Sequence, residues 1–362
     1  MKLLPSFFAW SHFSFQASTS LIWKTHDISS LLLEEQAGVK YRDLNGTTAP
    51  LETIIKNNGA NSVKIRIWVA PPTGEYNLDY ALKLAKRVKA AGLGIILNLH
   101  YSDSWADPAK QSKPAAWRNL STTALIAKVA TYTTSVLDAF SHHGIHVQLI
   151  TIGNEIRAGF LWPTGQWDQF PTMVKLIEAG IEGVADSKIV PKPKIMLHLD
   201  RGYSWGTQEW FYDNLIANGF DMSTFDIQGL SCYPFWDVVE STFENFEKNL
   251  NNMAAKYKKG IVCSETDWPI QCTNASENIP YSLYGTIPFT PAGQVMWMQK
   301  LAAIVKALPG KLGKGVMYWE GGWVNNPSLG SACESSVLFS REQHWNATVA
   351  KALPSINMFK AI

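Results

Sequence analysis

The stretch VQLITIGNEIRAG, residues 147–159, joins a short apolar run to a polar pair. Five of the six residues before Gly153 are apolar or β-branched, which is typical of a buried β-strand. Asn154 and Glu155 follow this run directly. Glu155 is therefore either an ordinary first-turn helix residue, where negative charge suits the helix dipole, or a carboxylate held at the edge of a core for chemistry.

The same pattern, a short β-branched run followed by a longer helical segment, recurs along the chain. In LDYALKLAKRVKAAG, for example, Leu78, Leu82 and Ala85 fall on one helical face and Gly92 ends the segment. Eight strands are predicted, at residues 22–28, 62–69, 93–101, 147–155, 194–200, 225–233, 261–266 and 315–320. Eight strands that alternate with helices predict an α/β fold, a (β/α)8 TIM barrel.

An open, doubly wound sheet would give a similar alternation of strands and helices. The count of eight favours the barrel, as do the polar residues found at nearly every strand's C-terminal end. No Gly-rich phosphate loop follows the first strand, which argues against a dinucleotide-binding fold. Because no linker or shift in composition divides the chain, residues 19–362 are predicted to form one domain.

The composition favours a sugar over a nucleic acid as the ligand. The 32 Lys and Arg nearly balance the 30 Asp and Glu, and no basic block stands out, so we expect no nucleic-acid partner. Fifteen Trp contribute to an aromatic content of 12%. Flat aromatic rings stack on bases or on sugars, and without a basic surface sugars are the better expectation. No apolar run reaches eighteen residues, so no membrane span is predicted.

The N-terminal segment predicts export from the cell. Residues 1–18 combine a Lys with an apolar stretch and reach small residues, as a secretory signal does. The chain contains four N-glycosylation sequons, at Asn45, Asn119, Asn274 and Asn346. The four Cys lack zinc-site spacing and are free to form disulfides outside the cell. We therefore expect a secreted protein, and a monomer.

In a TIM barrel the active site lies at the C-terminal ends of the strands. The polar and aromatic residues at these ends are Asp27, Arg66, Trp68, His100, Asp103, Asn154, Glu155, His198, Asp200, Tyr233, Glu265, Asp267, Trp319 and Glu320. Glu155 and Glu265 stand out because the runs before them are so apolar. The fourth and seventh strands lie on opposite walls, and two facing carboxylates are what glycoside hydrolysis needs. A lone Glu at such a junction is usually a capping residue, but the joint placement favours catalysis.

Four segments together resemble one enzyme family. HYSDSWADP (100–108), GNEIRAG (153–159), IVCSETDWP (261–269) and MYWEGGW (317–323) are similar to the endo-β-1,4-galactanases of glycoside hydrolase family 53. The resemblance runs from about residue 23 to the C-terminus. It implies an arabinogalactan endo-β-1,4-galactanase, which cleaves β-1,4-galactosidic bonds in the galactan side chains of pectin with retention of configuration.

The resemblance also implies the roles of the catalytic residues. Glu155 would be the general acid/base and Glu265 the nucleophile, while Asn154 would bind the 2-hydroxyl of the sugar being cleaved. Arg66 and Tyr233 would hold Glu265 ionised and oriented, since a cation and a phenolic donor both favour a carboxylate.

Three further residues are implied to contact the substrate. His100 and Asp103 would be polar contacts around the sugar, and Trp319 would be the floor on which the sugar ring stacks. The alternatives are a satisfied core histidine for His100, plain core packing for Trp319, and an interior salt bridge for Arg66.

The resemblance implies one disulfide, because fungal members bridge a pair that matches Cys272 and Cys333. Cys232 and Cys263 lie within predicted strands and are expected to be free and buried. No loop has the acidic spacing of a calcium site, so no metal or cofactor is expected. Relatives usually carry Gly at the position of Thr25. If that position needs a positive φ, Thr25 alters the first βα turn.

Three other functions stay open. Another endo-β-1,4-glycanase of the same clan, acting on mannan or glucan, would use the same chemistry with a different cleft lining. A non-catalytic sugar-binding barrel would keep the fold with a degenerate Glu pair. A metal-dependent amidohydrolase barrel would need a His-x-His pair after the first strand, where only His26 is present.

Overall fold

The computed structural model describes residues 20–236, 238–344 and 347–362. Eight parallel strands form a closed barrel: β1 (Trp23–Asp27), β2 (Ser62–Ile67), β3 (Gly94–Leu99), β4 (Leu149–Ile152), β5 (Lys194–Leu199), β6 (Ile227–Ser231), β7 (Gly260–Glu265) and β8 (Gly313–Tyr318). The ring closes because β1 pairs in parallel with both β2 and β8. The predicted TIM barrel and its eight strands are confirmed, and the open sheet is excluded.

Helices surround the barrel and connect its strands. The longer ones are Leu51–Asn57, Leu78–Ala90, Thr122–His142, Phe170–Asp186, Trp205–Ala217, Phe243–Tyr257 and Pro291–Lys306. Four of them begin at a side chain that accepts a hydrogen bond from a first-turn amide, namely Asn77, Ser121, Thr242 and Thr290. In the part of the chain that the structure describes, none of the helices combines the length and apolar content of a membrane span.

Short helices lie in the connections. They are the α-helices Leu31–Gln36, Ala275–Asn278 and Tyr281–Tyr284, and the 3₁₀ helices Ala115–Trp117, Ile156–Ala158, Met222–Thr224, Pro309–Lys311 and Pro354–Lys360. The segment Ile156–Ala158 directly follows Glu155 and therefore contributes to the top face of the barrel.

The barrel interior changes from apolar to polar along its axis. One buried cluster is formed by Trp23, Ile96, Leu149, Met196, Ile227, Val262 and Met317. Side chains alternate along a strand, so the residues two positions further on share the same face. On four strands these are Thr25, Asn98, Thr151 and His198, all buried. The apolar layer therefore supports a polar layer beneath the C-terminal face.

A side sheet beside the barrel was not predicted. Strand Phe339–His344 pairs antiparallel with Ala347–Ala352, which pairs in parallel with Val39–Arg42. Tyr41 and Phe339 pack edge to face across it, with ring centroids 5.3 Å apart. The segment FSREQH, with its polar and charged residues, lacks the apolar alternation that signals a strand. A two-stranded ribbon, Gly159–Phe160 with Gly165–Gln166, was also missed.

Thr25 does not have the positive φ that would alter the first βα turn. Thr25 lies inside β1, in register with Ser62 of β2 and Met317 of β8. Its hydroxyl shares a hydrogen bond of 2.7 Å with the Ser62 hydroxyl. Strand backbone suits a β-branched residue, so this position does not require glycine.

Three of the four sequons can be located. Asn45, Asn119 and Asn274 are exposed. The predicted signal segment, residues 1–18, and the sequon at Asn346 lie outside the described residues.

Candidate active site

A cavity of about 720 Å³ opens at the C-terminal end of the barrel. Seven of the eight predicted catalytic and substrate-binding residues line it: Arg66, His100, Asn154, Glu155, Tyr233, Glu265 and Trp319. Other lining residues include Trp105, Arg157, Asp200, Ser231, Trp236 and Trp323. The cavity therefore brings together the strand ends, as the barrel topology predicts.

The two glutamates approach each other across the cavity. One carboxylate oxygen of Glu155 and one of Glu265 lie within 4.8 Å of each other, and a ring nitrogen of His198 lies within that distance of both. Glu155 follows β4 and Glu265 ends β7. The two carboxylates therefore share one space at the barrel mouth.

A register shift helps to aim Glu265 inward. Val262 belongs to the inner apolar cluster, so strict alternation would put Ser264 inside and Glu265 outside. The pairing of β7 with β6 shifts between Cys263 and Glu265. Irregularities of this kind re-aim side chains beside active sites, and here both carboxylate oxygens of Glu265 meet interior partners.

Lys64 and Tyr233 hold the Glu265 carboxylate. Lys64 Nζ donates to Oε1 at 2.6 Å, and the Tyr233 hydroxyl donates to Oε2 at 3.1 Å. Lys64 is fully buried, so this ion pair is weakly screened. Burial, followed by the charge of Glu265, raises the pKa of Tyr233 well above its usual value, so the phenol stays a donor. The contact expected of Tyr233 is present.

The expected contact between Arg66 and Glu265 is wrong. The Arg66 guanidinium donates to Glu320 and, at 3.1 Å, to Ser30 Oγ. Lys64 and Arg66 lie on the same face of β2, one layer apart. The deeper Lys64 reaches across to β7, while Arg66 pairs with the carboxylate that follows β8. The interior salt bridge weighed for Arg66 is therefore the one observed.

Glu155 has a strained backbone and a perturbed carboxyl. Its φ of 48° and ψ of 50° lie in the left-handed region, which a non-glycine residue rarely adopts. Burial raises the pKa of Glu155 well above its usual value, and the charges of Glu265 and Asp200 add to the shift. Arg157 Nε binds Asp200 at 2.7 Å on the same wall. The carboxyl of Glu155 therefore favours its protonated form.

A hydrogen-bond network fixes Asn154 and His198. Asn154 Oδ1 accepts from Asn98 Nδ2 at 2.8 Å, and Asn154 Nδ2 donates to the Ala106 carbonyl at 2.8 Å. His198 Nδ1 lies 3.0 Å from Asn154 Oδ1, and Nε2 lies 2.9 Å from Ser231 Oγ. Because Oδ1 can only accept, Nδ1 carries the proton and Nε2 accepts from the serine. Burial lowers the pKa of His198, so the ring is neutral.

Glu155, His198 and Glu265 are residue types that can hold a metal ion. Two of the three donor groups are already engaged, however. Lys64 binds Glu265 at 2.6 Å, and the His198 ring nitrogens are occupied by Asn154 and Ser231. A cation would have to displace a buried ammonium group, so this arrangement fits acid–base chemistry better than metal binding.

His100 and Asp103 have different positions. His100 Nδ1 accepts from the Ala106 amide at 3.2 Å, and burial lowers the pKa of the imidazole well below its usual value. Its Nε2–H is therefore a neutral donor. Asp103 accepts from the amides of Ala70 and Ala115 at 2.8 and 2.7 Å and is not part of the cavity wall. The structure places Asp103 as a brace between loops, contrary to the expected substrate contact.

Aromatic rings form one side of the cavity. Trp319 is half-buried and packs edge to face on Trp105 and Trp323, with centroids 6.1 and 6.3 Å away. Trp105 and Trp323 stack at an angle of 18°. Sequence reasoning assigned no role to either, although both occur in the quoted segments HYSDSWADP and MYWEGGW. Lys64 was missed as well, although its position two residues before Arg66 places it on the inward face.

The predicted disulfide is present. Cys272 and Cys333 are bonded and connect the loops after β7 and β8. The Ile270 amide also donates to the Ser335 carbonyl at 2.7 Å. Leu329, shortly before Cys333, lines the cavity, so the bridge braces the wall. Cys232 and Cys263 are free and buried, as expected.

The model of glycosyl hydrolase family 53 matches residues 23–359. The chain belongs to this family. It is 43% identical to a probable arabinogalactan endo-beta-1,4-galactanase A of Neosartorya fischeri, over 100% of this chain and 99% of that one. It is 44% identical to arabinogalactan endo-beta-1,4-galactanase A of Aspergillus niger, over 89% and 91% of the two chains.

Solved structures agree with this assignment to family 53. A structure from a study of two fungal beta-1,4-galactanases has a TM-score of 0.89 and 42% identity, over 95% of this chain and 100% of that one. The GH53 catalytic domain of Ignisphaera aggregans has a TM-score of 0.80 and 30% identity, over 94% and 95%. A GH10 endoxylanase at 13% identity, with a TM-score of 0.58, shares the fold alone.

Proposed function

We propose that this chain is a retaining endo-β-1,4-galactanase that hydrolyses internal β-1,4-galactosidic bonds in galactan and arabinogalactan. One observation carries the proposal. Glu155 and Glu265 face each other within 4.8 Å, and their environments differ. Glu265 meets a cation and a phenol, whereas burial and neighbouring negative charge favour protonation of Glu155. Relatives 43–44% identical to this chain bear the galactanase name.

In the first step, a Glu265 oxygen attacks the anomeric carbon and forms a glycosyl–enzyme ester. Glu155 donates its proton to the departing glycosidic oxygen, so the C–O bond breaks without forming a free alkoxide. In the second step, the Glu155 carboxylate takes a proton from water, and the resulting hydroxide attacks the same carbon. Glu265 leaves as a carboxylate, and both residues return to their starting forms.

The spacing of the carboxylates supports retention. Retaining glycosidases place their carboxyl groups about 5–5.5 Å apart, whereas inverting enzymes need about 6.5–9.5 Å to admit a water molecule. An oxygen-to-oxygen approach within 4.8 Å fits the shorter class. Retention follows because two displacements at one carbon restore its configuration.

The surrounding residues position the sugar. The network around Asn154 fixes its amide beside the pair, where it can bind the sugar 2-hydroxyl. The Trp319 ring provides a half-buried apolar surface for the sugar ring. His100 adds a neutral donor, which suits an uncharged substrate.

The decisive experiment is hydrolysis of linear β-1,4-galactan, β-1,4-mannan and β-1,4-glucan by the purified protein, with ¹H NMR of the first products. We expect cleavage of galactan and initial release of the β-anomer. Cleavage of mannan or glucan alone would indicate another glycanase of the clan. Binding of galactan without cleavage would indicate a sugar-binding barrel, and an initial α-anomer would contradict retention.

We also infer that the protein is secreted. Three sequons lie on the surface, and the disulfide between Cys272 and Cys333 suits an oxidising compartment. Expression in a eukaryotic secretory host, with detection of the chain in the medium and mass analysis after glycosidase treatment, tests this inference. Retention of the chain inside the cell would contradict it.

A further inference from the structure

Two tryptophans with exposed rings lie side by side outside the cavity. Trp167 is 50% exposed and Trp210 is 38% exposed. Their ring centroids are 6.5 Å apart and the rings are inclined at 56°. Buried Phe170 packs edge to face on Trp210 at 5.4 Å and supports the pair from below. Neither tryptophan lines the cavity. We call this surface the Trp167–Trp210 platform.

The platform adjoins the cavity wall through two segments. The Trp167 amide donates to the Ala158 carbonyl at 3.1 Å, and Ala158 follows Arg157, which lines the cavity. Trp210 lies in the helix Trp205–Ala217, which begins two residues after Tyr203, another lining residue. The platform is therefore continuous with the part of the wall that follows β4 and β5.

The exposure of two adjacent indoles needs an explanation. Single exposed apolar side chains are ordinary on protein surfaces, but neighbouring large rings form a patch that commonly marks a binding site. The charged residues next to this patch include exposed Asp168, which follows Trp167, and an ion-pair cluster at the helix of Trp210. Lys256 binds Glu209 at 2.9 Å and Asp213 at 2.6 Å, which leaves an excess of one negative charge among the three residues. An anionic polymer or an anionic lipid surface would be repelled by that excess.

We propose that the platform binds the galactan chain where it leaves the cavity, as an auxiliary sugar-binding site. This inference rests on the proposed function. A β-linked galactose ring has one face that carries only C–H groups, opposite its axial 4-oxygen, and this face packs on an indole. The substrate is an uncharged polymer longer than the cavity. Two inclined rings 6.5 Å apart can contact successive parts of a twisted sugar chain.

The test compares polymeric β-1,4-galactan with a short galacto-oligosaccharide, β-1,4-galactotetraose, that the cavity alone can bind. In the double variant Trp167→Ala/Trp210→Ala, KM for galactan should rise at least about fivefold, while kcat/KM for the tetraose stays within about twofold. Retardation of the variant in a galactan-containing native gel should also be lost. The single variant Trp167→Ala, whose ring is half exposed, should show the same selective loss with less effect on folding.

The matched control is Tyr281→Ala, which removes an exposed ring from the loop after β7. It should leave KM and kcat unchanged for both substrates. If a variant keeps its activity on the tetraose and its KM for galactan is unchanged, the platform does not bind galactan and the proposal is refuted. Equal losses of kcat/KM on both substrates would also refute the proposal, because the two rings would then act as part of the cavity. Failure of the wild-type protein to cleave galactan at all would instead refute the proposed function, so the two failures are distinguishable.

Discussion

The ammonium group of Lys64 lies 2.6 Å from the Glu265 carboxylate, at the end of a side chain with no exposed surface. Its neighbour on the same face of β2, Arg66, binds Glu320. Glu265 and Glu320 are therefore each paired with a separate buried cation. The cation nearest the proposed nucleophile is a lysine, a compact charge on a flexible stem.

Replacing Lys64 by Met should lower kcat on galactan by about 100-fold or more, because Glu265 loses the ion pair that orients its carboxylate and leaves that charge without a buried partner. Lys64→Arg keeps the charge and should retain much more activity. Equal activity of the Met variant and the wild type would show that Lys64 does not support the nucleophile.

Asp200 should set the alkaline limit of the reaction. Its charge helps to raise the pKa of Glu155, which must be protonated at the start, so kcat falls as pH rises through that pKa. Asp200→Asn removes the negative charge and frees Arg157, and both changes lower the pKa of Glu155. The alkaline limb of the kcat profile should therefore move to lower pH. The control variant Asp186→Asn, which removes an exposed charge, should leave the alkaline limb of the kcat profile unchanged. If Asp200→Asn also leaves it unchanged, the charge of Asp200 does not raise the pKa of Glu155.

Asp267 should destabilise the fold as pH rises. Burial raises the pKa of its carboxyl to about 8, against about 3.9 in an unfolded chain. As pH rises, the Asp267 carboxyl loses its proton in the unfolded state before it does so in the folded state. The free energy of unfolding therefore falls between about pH 4 and pH 8 and does not change further above that range because of this group. Asp267→Asn should therefore gain stability relative to the wild type as pH increases over this range. Urea unfolding at pH 4, 6 and 8 measures the difference in the free energy of unfolding between the variant and the wild type. A difference that does not vary with pH would contradict the raised pKa of Asp267.

The disulfide should stabilise the fold and shape the cavity. Cys272 and Cys333 are 61 residues apart, and a loop of that size predicts a loss of about 4 kcal/mol in the free energy of unfolding when the bridge is removed. Because Leu329 lines the cavity near Cys333, Cys272→Ser/Cys333→Ser should also raise KM for galactan more than it lowers kcat. Denaturant unfolding and steady-state kinetics check the two effects. The substitution Cys232→Ser, at a free thiol, is the control for loss of a cysteine.

Most barrel strands were predictable because they contain apolar or β-branched runs that are buried on both faces, although β1 (WKTHD) is mostly polar. The side sheet was not, since FSREQH forms a strand only through pairing with distant segments. Glu265 was found from its position after an apolar run, but strict alternation would have turned it outward. The register shift that redirects it is a tertiary feature.

The sequence also could not predict which carboxylates pair with Lys64 and Arg66 of β2. Alternation puts Lys64 and Arg66 on one face, but which carboxylate each reaches depends on the stagger of the strands around the barrel. Asp103 was misassigned for a related reason. A loop carboxylate near a strand end contacts either substrate or backbone amides, and only the loop conformation decides between them.

The C-terminal hairpin places strand Ala347–Ala352 beside Val39–Arg42, and β8 closes the ring on β1. Each of these pairings joins two segments that are far apart in the sequence. While the ribosome is still translating, the earlier strands have open edges, and the barrel cannot close until β8 has emerged. A premature stop before the codons of β8 would therefore leave an unclosed intermediate exposed to aggregation and to the quality control of the cell.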